Sequence, residues 1–202
     1  MKTTILTLAI FFATAFGISQ STYAATTNGG QVSTELPGVS TINEIEVHGN
    51  VQLYLSDGTT DKVKVYDNYY AQNAFVQDEN GVLRITSYST EKLVVWVTVS
   101  ELAKLSAYDN AEVKSFGKLS SIDLDVKLFD NASAKLDVNT YAASITLNDH
   151  AKADLAGTVT EGSLQYHRHS YLNIESLAAA HVVTTMQDLR FHHNHPREFA
   201  SL

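Results

Sequence analysis

The sequence predicts an all-β, single-domain protein wound as a single-stranded right-handed parallel β-helix, with about 20 residues per turn of the coil. Three observations predict it. Apolar and polar residues alternate with period two through much of the chain, the pattern of half-buried strands. A short phrase built on Asp-Asn-Ala recurs at spacings of 21, 19 and 19 residues. The only two prolines are Pro37 and Pro196, and neither interrupts the alternating region.

Composition sets the bounds. The chain has 202 residues, 44% hydrophobic and 18% charged, which suits one folded domain with a real core. Residues 1–24 open with one Lys, continue as an apolar run from Ile5 to Ile18, and end on Thr22-Tyr23-Ala24. Small residues at −3 and −1 make this a secretory signal peptide with cleavage after Ala24. Removing it takes away Lys2 and no acid, so the net charge of −8 becomes −9. An acidic exported chain is a poor partner for nucleic acid, whose phosphates require a basic face. It contains no cysteine, which excludes disulfide staples, thiolate metal sites and thiol nucleophiles. No later segment is long and apolar enough for a membrane span.

The elements follow in order. Residues 25–40, ATTNGGQVSTELPGVS, read as a flexible lead-in to a β-helix domain spanning 41–202. INEIEVHGNVQLYLSDG alternates around Gly49-Asn50 and reads as two short strands. DKVKVYD continues the alternation, and NGVLRITS follows a turn signal at Asn80-Gly81. KLVVWVTV is a continuous β-rich run, consistent with a strand buried on both faces. YDNYYAQNAFVQ, between Tyr66 and Gln77, reads as an aromatic loop or short helix covering the core.

After Trp96 the repeat takes over. Its copies are Asp109-Asn110-Ala111, Asp130-Asn131-Ala132, Asp149-His150-Ala151 and Arg168-His169-Ser170. A degraded copy fits at Gln187-Asp188-Leu189 and an earlier relative at Gly49-Asn50-Val51. Each phrase reads as a corner of the coil. Sharp corners favour positive φ, which Gly, Asn, Asp and His tolerate best. The column Asn50, Asn110, Asn131, His150, His169 is therefore expected to carry it, with Val51, Ala111, Ala132, Ala151 and Ser170 facing inward. Right-handedness follows from the chirality of parallel crossovers.

With the corners placed, the chain resembles the putative auto-transporter adhesin, head GIN domain proteins of Bacteroidetes-type bacteria. The resemblance rests on INEIEVHGNVQLYLSDGTTDKVKVY, on DENGVLRIT and on the repeated corners after LVVWVTV, and it covers about residues 40–196. It implies a fold similar to pectin-lyase-like β-helices and a role in adhesion, with no catalytic residues to carry over. The family's corners are usually of Ser-Gly type, whereas this chain has Asp-Asn and Asp-His.

The candidate ligand face is the corner ladder: Asp109, Asn110, Asp130, Asn131, Asp149, His150, Arg168 and His169. Its competing use is catalytic. Stacked carboxylates of Asp109, Asp130 and Asp149 would lie about 5 Å apart, the separation of retaining glycosidases. Repeated, equivalent corners give no reason for one carboxyl to act as acid and another as nucleophile. Two such charges in water repel by only about 0.8 kcal/mol, so an exposed column needs no function. A calcium ion on the column is an intermediate reading. His150, His167 and His169, and the tail histidines His192, His193 and His195, raise transition-metal binding, against a solvated cap as the plainer reading. The expectation is an exported, non-catalytic binding or adhesion module that recognises a glycan or a cell-surface protein. It needs no cofactor, binds no nucleic acid and spans no membrane, and self-association stays open. A polysaccharide-active enzyme using the Asp column is the alternative.

Overall fold

Asn80 and Gly81 both take positive φ, 54° and 81°, in a computed structural model that describes residues 25–28, 31–66 and 74–187. Two left-handed residues in succession make the tight hairpin turn whose twist matches that of its flanking strands. They fold β6 (Ala74–Glu79) back antiparallel on β7 (Val82–Ser87). The lead-in carries two strands, β1 (Ala25–Asn28) and β2 (Gln31–Glu35), and β2 runs antiparallel to β5 (Lys62–Tyr66). β5 in turn runs antiparallel to β8 (Leu93–Val99). The other early strands pair in parallel: β3 (Glu44–Gly49) lies between β7 and β9 (Lys104–Ala107), and β4 (Val51–Asp57) beside β8.

Two arms result, and one long strand joins them. β10 (Glu112–Leu128) pairs with β4 through Glu112–Ser115 and with β9 through Asp125–Leu128. β11 (Ser133–Leu147), β12 (Lys152–His167) and β13 (Tyr171–Gln187) then stack in parallel on β10, one after another. The whole is one mixed 13-stranded sheet that curls into a half-barrel around its core.

This corrects the expected fold. A right-handed parallel β-helix requires each turn of the coil to lie parallel on the last, whereas here antiparallel strands β2, β5 and β6 close the two arms. The physical reason is local. Positive φ at both Asn80 and Gly81 reverses the chain in two residues, where a parallel pair needs a crossover of a dozen or more. The repeat encodes something narrower, the parallel register of the later strands. Glu112 pairs with Ser133, Ser133 with Lys152 and Lys152 with Tyr171, at the 21-, 19- and 19-residue offsets of the phrases.

The core lies on the concave side. Val51, Leu53 and Leu55 of β4, Val95 and Val97 of β8, and Leu105, Leu128 and Leu147 along the join are fully buried. β8 is buried on one face rather than two. Val94, Trp96 and Thr98 point to the outer side, where Trp96 stacks on Tyr54 with ring centroids 4.7 Å apart and meets Phe116 at 5.6 Å. Val-rich continuity there came from a strand whose outer face is covered by aromatic neighbours rather than by a second layer.

Candidate functional site

Each repeated phrase is a four-residue turn closed by a backbone hydrogen bond. Ala111 N–H donates to Tyr108 O at 3.1 Å, Ala132 to Phe129 at 3.0 Å, Ala151 to Asn148 at 3.0 Å and Ser170 to His167 at 3.1 Å. The turns stack: Asn131 N–H donates to Asp109 O and His150 N–H to Asp130 O, both at 2.9 Å. The ladder therefore brings Asp109, Asp130, Asp149 and Arg168 into one exposed column, and Asn110, Asn131, His150 and His169 into the next. Ala111, Ala132 and Ala151 point inward and are fully buried, while Ser170 is only half-buried.

Positive φ falls one residue earlier than the sequence reading placed it. Asp109, Asp130 and Asp149 have φ of 59°, 56° and 54°, and Gly49, their counterpart on β3, has 84°. The Asn and His residues beside them do not share that conformation. The carboxylates also do structural work across turns. Asp109 Oδ2 accepts the Gly49 N–H at 2.8 Å, and Asp130 Oδ2 accepts the Asp109 N–H at 3.1 Å. Asp109 and Asp130 thus each satisfy a backbone donor of the preceding turn. Two of the three carboxylates of the proposed catalytic column are committed in the same way, which suits a repeated structural device better than divided catalytic roles.

Aromatic rings flank the ladder. His48 stacks on Tyr108 at 4.3 Å, and Tyr108 on Phe129 at 4.7 Å, with planes within 4° of parallel. Further along, His150 and His169 stack at 5.6 Å. Among the described residues no group of three His, Cys, Asp or Glu side chains is placed to hold a metal ion. His192, His193 and His195 lie outside the described residues, as do Tyr69 and Tyr70 of the aromatic segment. Phe75, from the same segment, sits in β6 and is partly exposed.

Beside the first turns lies an open groove of about 590 Å³, bounded by Asn50, Asn110, Tyr88, Thr90, Lys92 and Glu112. The Tyr88 side chain is 78% exposed, the most exposed large apolar side chain among the described residues. Asn50 Nδ2 donates to Thr90 O at 2.7 Å and fixes the β7–β8 loop against the turn. On the floor, Lys92 Nζ donates to Glu112 Oε1 at 2.6 Å. That bond, with a smaller contribution from Lys114 whose Nζ lies 3.5 Å from Glu112 Oε2, holds the Glu112 carboxyl below the ordinary glutamate range. A second groove, about 410 Å³, has a floor of Ala103, Ala142, Ala143 and Gly162 rimmed by Asp123, Asp125 and Glu161. It offers carboxylates over small apolar residues but no aromatic ring and no amide, so the first groove has the richer recognition chemistry.

The Lys92–Glu112 pair gives a direct test. Its side chains are 39% and 34% exposed, so it contributes well under about 1 kcal/mol. A depressed carboxyl pKa stabilises the fold above the unfolded value, and that share is lost as pH falls through the folded value. Carboxyl-carbon NMR titration should show Glu112 staying ionised below the usual glutamate range. Lys92→Gln should move that titration upward; an unmoved titration would show that Lys92 is not its cause.

The groove residues Tyr88 and Lys92 were not singled out by the sequence, because only strand pairing brings the β7–β8 loop beside Asn50 and Asn110. A family model described as putative auto-transporter adhesin, head GIN domain, matches residues 41–187. The chain belongs to this family. Solved structures share the fold. A putative adhesin from Bacteroides fragilis aligns with a TM-score of 0.67 at 15% identity, covering 79% of this chain and 78% of its own. A putative adhesin from Parabacteroides merdae aligns with a TM-score of 0.58 at 14% identity, covering 79% and 78%. A putative lipid binding protein from Parabacteroides distasonis aligns with a TM-score of 0.58 at 14% identity, covering 79% of each. At these identities the likeness concerns the fold alone. No curated protein matches the chain. Among the described residues of this head GIN chain, no helix is long and apolar enough to cross a membrane.

Proposed function

We propose that the chain is an exported, non-catalytic adhesion module that binds a cell-surface glycan in the groove between Tyr88 and the turn ladder. Residues 1–24 act as the export signal, and the working form begins at Ala25. The groove carries the reading. It sets an exposed aromatic ring beside the amides of Asn50 and Asn110, the hydroxyl-bearing Ser89 and Thr90, and the Lys92–Glu112 pair. Sugar rings present apolar C–H faces and many hydroxyls, so one ring for stacking and several convergent donors and acceptors suit them. Asn131, His150 and His169 extend the same exposed edge for a longer chain, while Asp109 and Asp130 hold the backbone beneath it.

Family membership supports adhesion, and the commitment of Asp109 and Asp130 to backbone donors supports a non-catalytic role. A lipid held inside the curl has less support. Between Leu124, Leu164 and Val182 the interior leaves only about 10 Å³, no more than one water needs. The test is a glycan array on the chain from Ala25, with product analysis on any hit. A hit should weaken about tenfold with Tyr88→Ala, as losing about 1.4 kcal/mol of ring contact predicts. Binding indifferent to both Tyr88→Ala and Asn110→Ala would move the site elsewhere, and hydrolysis or elimination of pectin, alginate or xylan would overturn the non-catalytic reading.

A further inference from the structure

The two ends of the sheet are finished differently. At the early end, β1 has four residues and β6 has six, and β6 carries Asp78 and Glu79. Asp78 Oδ2 also accepts hydrogen bonds from Ser40 N–H at 2.6 Å and Ser40 Oγ at 2.8 Å, which ties a neighbouring segment over that edge. Short strands, charges and covering segments are the usual protection of a sheet edge. Among the described residues the late end has neither a short final strand nor a covering segment, and it carries a single charge. β13 runs for 17 residues, YLNIESLAAAHVVTTMQ, and among the described residues it pairs only with β12. It contains no Lys, Arg or Pro, and Glu175 is its one formally charged residue. Leu172, Ile174, Leu177 and Val182 pack on the core but remain half-exposed, and Val183 and Met186 are 67% and 58% exposed.

We infer that β13 is a self-association edge, which pairs antiparallel with β13 of a second copy about a two-fold axis. The choice of a second copy rests on charge. The chain carries a net −8, so two copies approaching by most faces repel, whereas this edge is nearly neutral along its whole length. A two-fold pairing centred on Ala179 uses the whole strand, setting Tyr171 opposite Gln187. It sets Glu175 opposite Val183 of the other copy, so the edge's one charge does not meet its own image. An isologous contact of this kind closes at two copies and leaves no further long edge exposed. It also places the turn ladders and grooves of the two copies at opposite sides of the joint, a bivalent arrangement for an adhesion module.

Sedimentation equilibrium of the chain from Ala25 at micromolar concentration tests this, with circular dichroism checking that each variant keeps its strands. The wild type should be a dimer. Val183→Glu puts two carboxylates opposite each other at both symmetric positions and should raise the dissociation constant at least tenfold. Val183→Lys faces Glu175 instead and should leave it unchanged or lower it. Ile122→Glu, on β10 and 66% exposed, makes the same charge change away from the edge and should have little effect. A monomeric wild type overturns the proposal, because the edge is then covered by following residues or reserved for a foreign strand. So does equal weakening by Val183→Glu and Ile122→Glu, or weakening by Val183→Lys to match Val183→Glu.

Discussion

Gly157→Ala should be among the most damaging single methyl groups that can be added to this protein. Gly157 has φ of 103°, beyond the left-handed helical region that Asn or Asp can occupy. A Cβ there would lie 2.0 Å from Val138 O, 2.7 Å from Asp137 Oδ1 and 2.8 Å from Val138 N. The two Val138 atoms are backbone of the paired strand, since Gly157 on β12 faces Val138 on β11, and unlike the Asp137 carboxylate they cannot rotate away. Relief requires the ladder to open at the middle of the late stack. Strain of about 1–3 kcal/mol from the dihedral alone, with steric cost added, predicts a loss of at least about 3 kcal/mol. Urea unfolding should show a midpoint lower by about 1 M or more. Gly117→Ala is the matched control: φ is 83° there, but a Cβ would have no neighbour within 4 Å. It should cost only the dihedral term, about 1 kcal/mol. Equal losses at 157 and 117 would mean that the close approach to β11 is not what fixes Gly157.

The contrast shows what the chain declares in its own text and what it does not. Gly157 aligns with Val138 on one side and Leu177 on the other, so no column of the repeat marks it as special. Its requirement exists only once β11 and β12 lie together. The period of 19 to 21 was legible because it is a spacing, and spacing sets parallel register directly. The early half has no period. Whether β5 returns antiparallel to β8 depends on which strand is free to accept it, and alternation reads the same in either direction. Asn80-Gly81 did announce a hairpin, and given full weight it argues against an all-parallel coil. The groove was invisible for a related reason. Tyr88 and Lys92 stand about 40 residues from Asn50 and about 20 from Asn110, and nothing in a polar loop marks those pairs as neighbours. Within the turns the needed signal was present. Gly49 aligns with Asp109, Asp130 and Asp149, not with the Asn column, and a glycine in a column is the direct mark of positive φ there.

That shift by one residue makes Asp130 the position to test. Asp130 has φ of 56°, its Oδ2 accepts the Asp109 N–H at 3.1 Å, and its carbonyl accepts the His150 N–H at 2.9 Å. Asp130→Val should cost about 2–4 kcal/mol. About 1–2 kcal/mol comes from forcing a residue with a branched Cβ into the left-handed region, and the rest from a backbone donor deprived of a charged acceptor. Asp130→Asn keeps both the tolerated conformation and an oxygen acceptor and should lie within about 1 kcal/mol of wild type. Asp130→Gly loses the acceptor but relieves the backbone, so the two changes oppose each other and the net cost stays near or below about 1 kcal/mol. Asn131→Val is the decisive neighbour. Asn131 is exposed and lies outside the left-handed region, so valine there should be far milder than at 130. Chemical denaturation of the four variants gives the order directly. Should Asn131→Val prove as costly as Asp130→Val, the strained position would be the second turn residue, and the aspartates would be free for a role that the hydrogen bonds to Gly49 and Asp109 now deny them.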